Sequence, residues 1–206
     1  MALDVSERPM NKRALMGANT KRRMVDSAIA TFSELGYENA STRELAERAG
    51  VSQALIYRHF GGKRELLFAA LEAERDKPRV PMPVLSPDAP LSDHIGNLLR
   101  HTVSRMYDHR DFMRVCMSLA AVDPELGQLM ETLEKQGVAN LKHELEGLQG
   151  RGAIAPGVDL DAAASAINIV VFGLAFHWRV IFGRSASHVN GYATSIAELL
   201  SRGMSA

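Results

Sequence analysis

The chain has 206 residues, 46% hydrophobic and 23% charged, with 24 basic and 24 acidic side chains and one cysteine. That length makes one to two domains and buries enough surface to need no disulfide or metal. The composition is globular, not disordered or collagen-like. Cys116 alone excludes an intramolecular disulfide framework and a cysteine-based zinc site, and fits a reducing cytosol. No uninterrupted run of about 18 apolar residues occurs, so no membrane span is expected. The most apolar stretch, Ile167 to Phe182, is broken by Asn168, His177 and Arg179. The polar N-terminus lacks the apolar core of a signal peptide.

Net charge is zero, but it is unevenly placed. Residues 1–64 carry 11 Lys/Arg against 7 Asp/Glu, and residues 65–206 carry 13 against 17. A basic front on an acidic remainder is the asymmetry of a polyanion-binding module, although chance can also produce a four-charge offset.

In chain order, residues 1–19 are polar, contain Pro9 and Gly17, and are expected to be a mobile tail. Thr20 can cap a first helix, in which Val25, Ala28, Ile29, Phe32 and Leu35 recur at helical spacing before Gly36 stops it. Ser41-Thr42-Arg43-Glu44 reads as a capping box. It opens a short helix with Leu45, Ala46 and Ala49 inward, ended by Gly50. Ser52 caps a third helix, Gln53 to Phe60, which Gly61-Gly62 stops. A fourth starts near Lys63 and carries Leu66, Leu67, Ala70 and Leu71. Five of the eight prolines fall between Pro78 and Pro90, marking a linker or irregular connection. Five helices are expected beyond it: Leu91–His109, about Phe112–Ala121, Pro124 to about Leu148, Leu160–Phe182 and about His188–Gly203. Neither strand alternation nor a solenoid repeat is present.

Residues 41–60 carry the chemistry. Two short helices flank a tight turn containing Gly50, the helix-turn-helix arrangement whose second helix enters a major groove. At 100° per residue Ile56 and Phe60 share an inward face. Gln53, Ala54, Tyr57 and Arg58 fall opposite. An amide, a methyl, a phenol and a guanidinium are groups that read base edges or bind phosphates. From the residues alone, a short surface helix in an ordinary bundle explains the same pattern.

Residues 20–66 resemble the DNA-binding domain of TetR-type bacterial transcriptional regulators. The resemblance rests on Phe32-Ser33-Glu34-Leu35-Gly36-Tyr37, Ser41-Thr42, Leu45-Ala46 and Ala49-Gly50-Val51-Ser52. It continues through Ile56-Tyr57-Arg58-His59-Phe60, Lys63 and Glu65-Leu66-Leu67. It implies an all-α fold: an N-terminal three-helix, helix-turn-helix DNA-binding domain and a C-terminal helical bundle that binds ligand and dimerises. The expected divisions are 1–19 tail, 20–66 DNA-binding domain, 67–90 connecting helix and Pro-rich linker, and 91–206 effector and dimer domain.

The resemblance implies that Gln53, Ala54, Tyr57 and His59 face DNA, and that Thr42, Tyr57 and Lys63 anchor phosphates. Arg43 joins Thr42 at a helix N-terminus, where anions bind well. Lys21, Arg22 and Arg23 open the first helix within reach of the backbone or minor groove. Arg58 has three open roles: bidentate to guanine, a phosphate clamp, or solvated. Leu55 departs from the family's usual Thr or Ser and either packs inward or touches a thymine methyl. Gly61-Gly62 departs from the polar residue usual before the lysine and is expected to loosen that turn.

The resemblance further implies a homodimer, a double-stranded operator and an unidentified small-molecule effector. Ala193, Ile196, Ala197 and Leu200 are the expected dimer contacts, with core packing the alternative. Met106, Phe112, Cys116, Met117, Phe172, Phe176, His177 and Trp178 are the expected effector-pocket lining, and the same stripe also suits plain core. No cofactor, metal site or membrane partner is expected, and the location expected is the cytoplasm. No phosphate loop, GxSxG or HExxH motif points to an enzyme. The expected function is a ligand-responsive regulator, more in keeping with a repressor than an activator. The competing reading is a helical small-molecule carrier or adaptor that does not bind DNA.

Overall fold

The computed structural model describes residues 12–77 and 81–205. All its regular elements are helices, and no strand occurs among the described residues. They form two compact units, which divide between Lys77 and Pro78.

The first unit contains α1 (Lys12–Asn39), α2 (Thr42–Ala49), α3 (Gln53–Phe60) and α4 (Lys63–Asp76). The first helix begins eight residues before the expected Thr20. Thr20 does not cap it, because its Oγ1 donates to the carbonyl of Met16 at 2.9 Å from inside the helix. Lys12, Arg13, Ala14, Leu15 and Met16 are strong helix formers, and they carry the helix through Gly17. The rest of the expected tail, residues 1–11, lies outside the described residues. Gly36 breaks α1 as expected, at φ 76°. Met24, Ala28 and Phe32 of α1, Leu45 and Ala46 of α2, and Ile56 of α3 bury with Leu66, Leu67, Ala70 and Leu71 of α4. The expected boundary at residue 66 therefore cuts through α4. The apolar face of that helix belongs to the first core, and the boundary moves to Lys77.

The second unit starts with an irregular strap over 81–90, part of the expected Pro-rich connection; residues 78–80 lie outside the described set. Then follow α5 (Leu91–Asp108), α6 (Arg110–Ala120), α7 (Pro124–Gly150), α8 (Leu160–Phe172) and α9 (Ala186–Met204). Capping fixes several starts. Asp123 accepts from the amides of Glu125 and Leu126, and Asp159 from those of Asp161 and Ala162. Ser185 accepts from His188, which starts α9 two residues before His188. Leu91, Ile95, Leu99 and Val103 make α5 the centre of this core, against Ala164, Ile167 and Val171 of α8 and Val189, Ala193 and Ala197 of α9. At Gly96 an added Cβ would meet the Ala197 Cβ at 3.5 Å, an ordinary van der Waals contact, and the movable end of Arg100 at 2.9 Å, so Gly96 marks where α5 and α9 meet.

One expected helix is two. Leu160–Phe172 is α-helical, but Gly173–Ile181 is a π-helix. The amide of Phe182 donates five residues back to His177 at 3.1 Å. The wider turns rotate 177–181 away from the stripe that α8 buries. They bring Trp178 against Tyr192 at 4.4 Å and the Arg179 guanidinium over the Tyr107 ring at 3.3 Å. The combined Leu160–Ile181 segment, 22 residues, is long and apolar enough to cross a membrane by length and composition, contrary to the sequence expectation. A run criterion misses it because three polar residues interrupt an otherwise apolar average. Its Leu160, Ala164, Ile167, Val171 and Leu174 nevertheless bury in the core of this unit.

Candidate nucleic-acid interface

The two central helices of the first unit are joined by a turn built almost entirely from local bonds. Ser41 Oγ accepts from the Glu44 amide at 3.1 Å, the first half of the expected capping box. Glu44 does not reach back. Its carboxylate accepts from Arg48 Nε at 2.5 Å instead, and Arg48 Nη1 bonds Glu34 of α1, also at 2.5 Å. The Arg48 guanidinium holds the Glu34 carboxyl below its ordinary pKa through that hydrogen bond and its charge. At the other end Gly50 takes a left-handed conformation, φ 62°, and its amide and that of Val51 return to Glu47 and Ala46 at 3.1 and 3.0 Å. This double return is the Schellman closure of a helix, which glycine favours because it has no Cβ to clash.

Arg23 completes the turn from α1. Its Nη2 donates to the carbonyl of Ala49 at 2.5 Å and to that of Gly50 at 3.3 Å. These are orphan carbonyls at a negative helix end, the place where a cation is most useful. Arg23 is thus committed inside the domain, and not to the nucleic-acid reach considered from sequence. Sequence reasoning missed this role because the partner acceptors are backbone atoms 26 and 27 residues away.

The second helix presents the expected face. Ile56 is fully buried, and Leu55 and Phe60 are half-buried. Gln53, Ala54, Tyr57, Arg58 and His59 are exposed, Tyr57 by 51%. Arg58 makes no hydrogen bond or ion pair among the described residues. Thr42 brings the two helices into one polar surface. Its Oγ1 accepts from Gln53 Nε2 at 2.6 Å and lies 3.5 Å from the Tyr57 hydroxyl. Three of the residues singled out from sequence therefore converge at the start of α2.

The remaining basic residues differ in their commitments. Lys63 Nζ donates to the carbonyl of Tyr37 at 2.9 Å and sits over its ring at 4.2 Å, which fixes the ammonium while leaving two N–H donors. Arg43 pairs with Glu47 one turn on at 2.9 Å. Lys21 lies over the Phe60 ring at 5.5 Å, and Arg22 faces Asp26 at 3.8 Å with both side chains well exposed. Gly61 closes α3 at φ 94°, a left-handed position that favours glycine, while Gly62 is extended.

Residues 24–70 match the family model of bacterial regulatory proteins, tetR family, in the same register as this geometry. Residues 24–70 carry the DNA-binding domain of that family. The chain is similar to the HTH-type transcriptional regulator BetI 1 of Chromohalobacter salexigens, 25% identical over 173 residues, which cover 69% of this chain and 84% of that protein. It is 31% identical over 120 residues to the HTH-type transcriptional repressor KstR of Rhodococcus jostii, covering 55% of this chain and 57% of the relative. In fold it matches a solved regulator from Mesorhizobium loti assigned to the TetR family. The TM-score there is 0.77 with 22% identity, over 92% of this chain and 98% of that one. With this domain the chain is a helix-turn-helix transcriptional regulator.

In the second unit, two expected dimer contacts are corrected. Ala193 and Ala197 are 0% and 1% exposed and pack against α5, so they hold the protomer together. Ile196 and Leu200 are half-buried against the same core. The outward face of α9 instead shows Tyr192 and Leu199, seven residues apart, and α8 shows Ile169 and Phe172. Sequence spacing could not separate the two faces, because both are apolar.

The expected pocket residues also disperse. Phe112 and Cys116 are buried in packed core, while Met106, Met117, Phe176 and Trp178 are half-buried. Phe172 is 40% exposed and stacks on Phe176 at 5.5 Å; His177 is exposed and contacts Phe182. A cavity of about 320 Å³ does occur in this unit, but none of these eight residues lines it. No group of three or more potential metal ligands occurs among the described residues.

Proposed function

We propose that this chain binds a pseudo-palindromic operator as a homodimer, represses transcription there, and is released by a small apolar or amphipathic effector. The single observation that carries the DNA reading is the exposed face of α3, with Gln53, Tyr57, Arg58 and His59 around a fully buried Ile56. In this reading Gln53, Ala54, Tyr57, Arg58 and His59 read base edges. Thr42, Arg43, Tyr57, Lys63, Lys21 and Arg22 meet phosphates. Gln53 leaves the Thr42 hydroxyl on binding, and adenine replaces it as partner, since an amide can pair bidentately with adenine. Exposed Ile169, Phe172, Tyr192 and Leu199 support a two-fold interface built from α8 and α9. The repressor sign draws on relatives such as the one from Rhodococcus jostii.

Selection of bound sequences from random duplex DNA at two salt concentrations tests this. An enriched inverted repeat is expected, with a salt slope of about −0.9 per phosphate contact. Failure to enrich any sequence, together with unchanged mobility of bulk duplex DNA, would refute the DNA reading and leave the carrier or adaptor.

A further inference from the structure

The cavity of about 320 Å³ in the second unit lies between the strap, the start of α5 and the end of α7. That volume falls within the range of small-molecule sites. Three features give it a chemistry. First, Glu144 and Leu148 of α7 and Arg151, which follows its last residue, line one side at spacings of four and three residues. The backbones of Glu144 and Arg151 stand about 10 Å apart along the helix axis at 1.5 Å per residue, with the buried Leu148 between them, and both side chains are exposed. Neither side chain makes an ion pair or hydrogen bond among the described residues. Second, His94 of α5 forms part of the wall, and its Nε2 is buried without any hydrogen-bond partner. Buried polar atoms are almost always paired, so one left open in a cavity wall marks a place for an incoming partner. Third, Asn97 Nδ2 donates to the carbonyl of Pro83 at 2.8 Å, which pins the strap and its Met82 over the opening.

We infer that this cavity binds a small amphipathic monocarboxylate. The assignment rests on the ligand-responsive reading above and gives its effector a place and a class. The carboxylate meets the planar fork of Arg151 and a ring N–H of His94, a charge-assisted pairing. The apolar body lies on Leu148 and Met82. Glu144 at the far end repels a second carboxylate, so the site discriminates against a dicarboxylate of the same length. The strap that closes the site opens the second unit, so a ligand that holds the strap acts on the first described residues of that unit.

Titration calorimetry on the full chain tests the inference with four probes of equal length: octanoate, octanamide, octylammonium and suberate. Saturable binding of octanoate, one per chain, is expected, with octanamide and suberate at least about tenfold weaker. Arg151→Gln and His94→Ala should each weaken octanoate about tenfold, and Met82→Trp, on the half-exposed strap, should abolish binding by filling the space. Circular dichroism should show all three variants folded. Absence of saturable octanoate binding would overturn the inference. So would tighter binding of octylammonium, or octanoate binding that Arg151→Gln and Met82→Trp leave unchanged. Operator affinity, read in the same preparations on the selected duplex, separates the two readings. Octanoate that binds without changing operator affinity removes its effector role. A selected operator with no octanoate binding removes this site alone. Octanoate binding with no selected operator and unchanged mobility of bulk duplex DNA upholds the site as a ligand site and refutes the DNA reading.

Discussion

Gly50→Ala isolates the turn that aims α3. The native backbone there is left-handed at φ 62°, which costs a residue with a Cβ roughly 1–2 kcal/mol. The new Cβ would also stand 2.7 Å from Arg23 Nη2. The guanidinium is the end of a flexible side chain and can move, but moving it breaks its bonds to the Ala49 and Gly50 carbonyls. For an exposed arginine, with water as substitute, that loss is about 1 kcal/mol. The expected total is about 2–3 kcal/mol, or roughly 4–12 °C in Tm if the chain unfolds as one cooperative unit. Urea unfolding of four proteins measures it: the parent, Gly50→Ala, Arg23→Ala and the double variant. The two perturbations share one interaction, so the double variant should be about 1 kcal/mol more stable than the sum of the single losses predicts. Gly50→Asn separates the two causes, because asparagine tolerates the left-handed backbone yet keeps the Cβ. It should retain the Arg23 cost and lose most of the strain. Additivity of Gly50→Ala and Arg23→Ala within 0.5 kcal/mol would refute the role given to Arg23.

Four further outcomes are expected. Tyr57→Ala should weaken operator binding by about 1–2 kcal/mol in a fully folded protein, since 51% of its side chain already faces solvent; a gel-shift titration checks it. Lys63→Ala should weaken all sequences alike and reduce the salt slope by about one, whereas Arg58→Ala should relax preference at one base pair by ~1–3 kcal/mol if it reads guanine. The Glu34 carboxyl is held low by Arg48, so its contribution is full above the ordinary pKa of 4.5 and is lost as pH falls through the lower folded value. Acid titration of stability should therefore flatten in Arg48→Met below pH 4.5. Leu199→Glu, at a site 67% exposed in the protomer, should leave the fold intact and shift the dimer toward monomer in analytical ultracentrifugation.

What was legible in the sequence is what local physics decides. Ser41 caps α2, Ser52 holds the N-cap position of α3 without a side-chain bond, and Gly50 and Gly61 are left-handed stops; these placed α2 and α3 at Thr42 and Gln53 without knowledge of any distant residue. The outward face of α3 was equally readable, because one helix of eight residues has a single buried side chain, Ile56. The fate of the basic residues was not. Arg23, Arg22 and Lys21 are consecutive in sequence and look alike there. Only the fold puts Arg23 against the Ala49 carbonyl while leaving Arg22 exposed. The start of α1 was misplaced for the opposite reason: Thr20 is a good cap, but its hydroxyl is satisfied equally well by the carbonyl four residues back once the helix continues.

The second unit resisted reading because its helices are apolar on more than one side. On α9 Ala193 and Ala197 repeat at four residues, and Tyr192 and Leu199 repeat at seven; both spacings suit a buried stripe. Which one faces inward is decided by packing against a partner: Ala193 and Ala197 bury in the core with Ile95 and Leu99 of α5. The π-helical stretch compounds the problem. An α-helical wheel does not describe the chain past Gly173, where the wider turns direct Arg179 onto Tyr107. The cavity that does exist is lined by a strap whose prolines carry no helical period at all, and its polar residues on α5, His94 and Asn97, lie far in sequence from Glu144 of α7 and from Arg151 just beyond it. Ligand chemistry in this unit follows from which helix ends meet beneath the strap, and only the assembled fold determines that meeting.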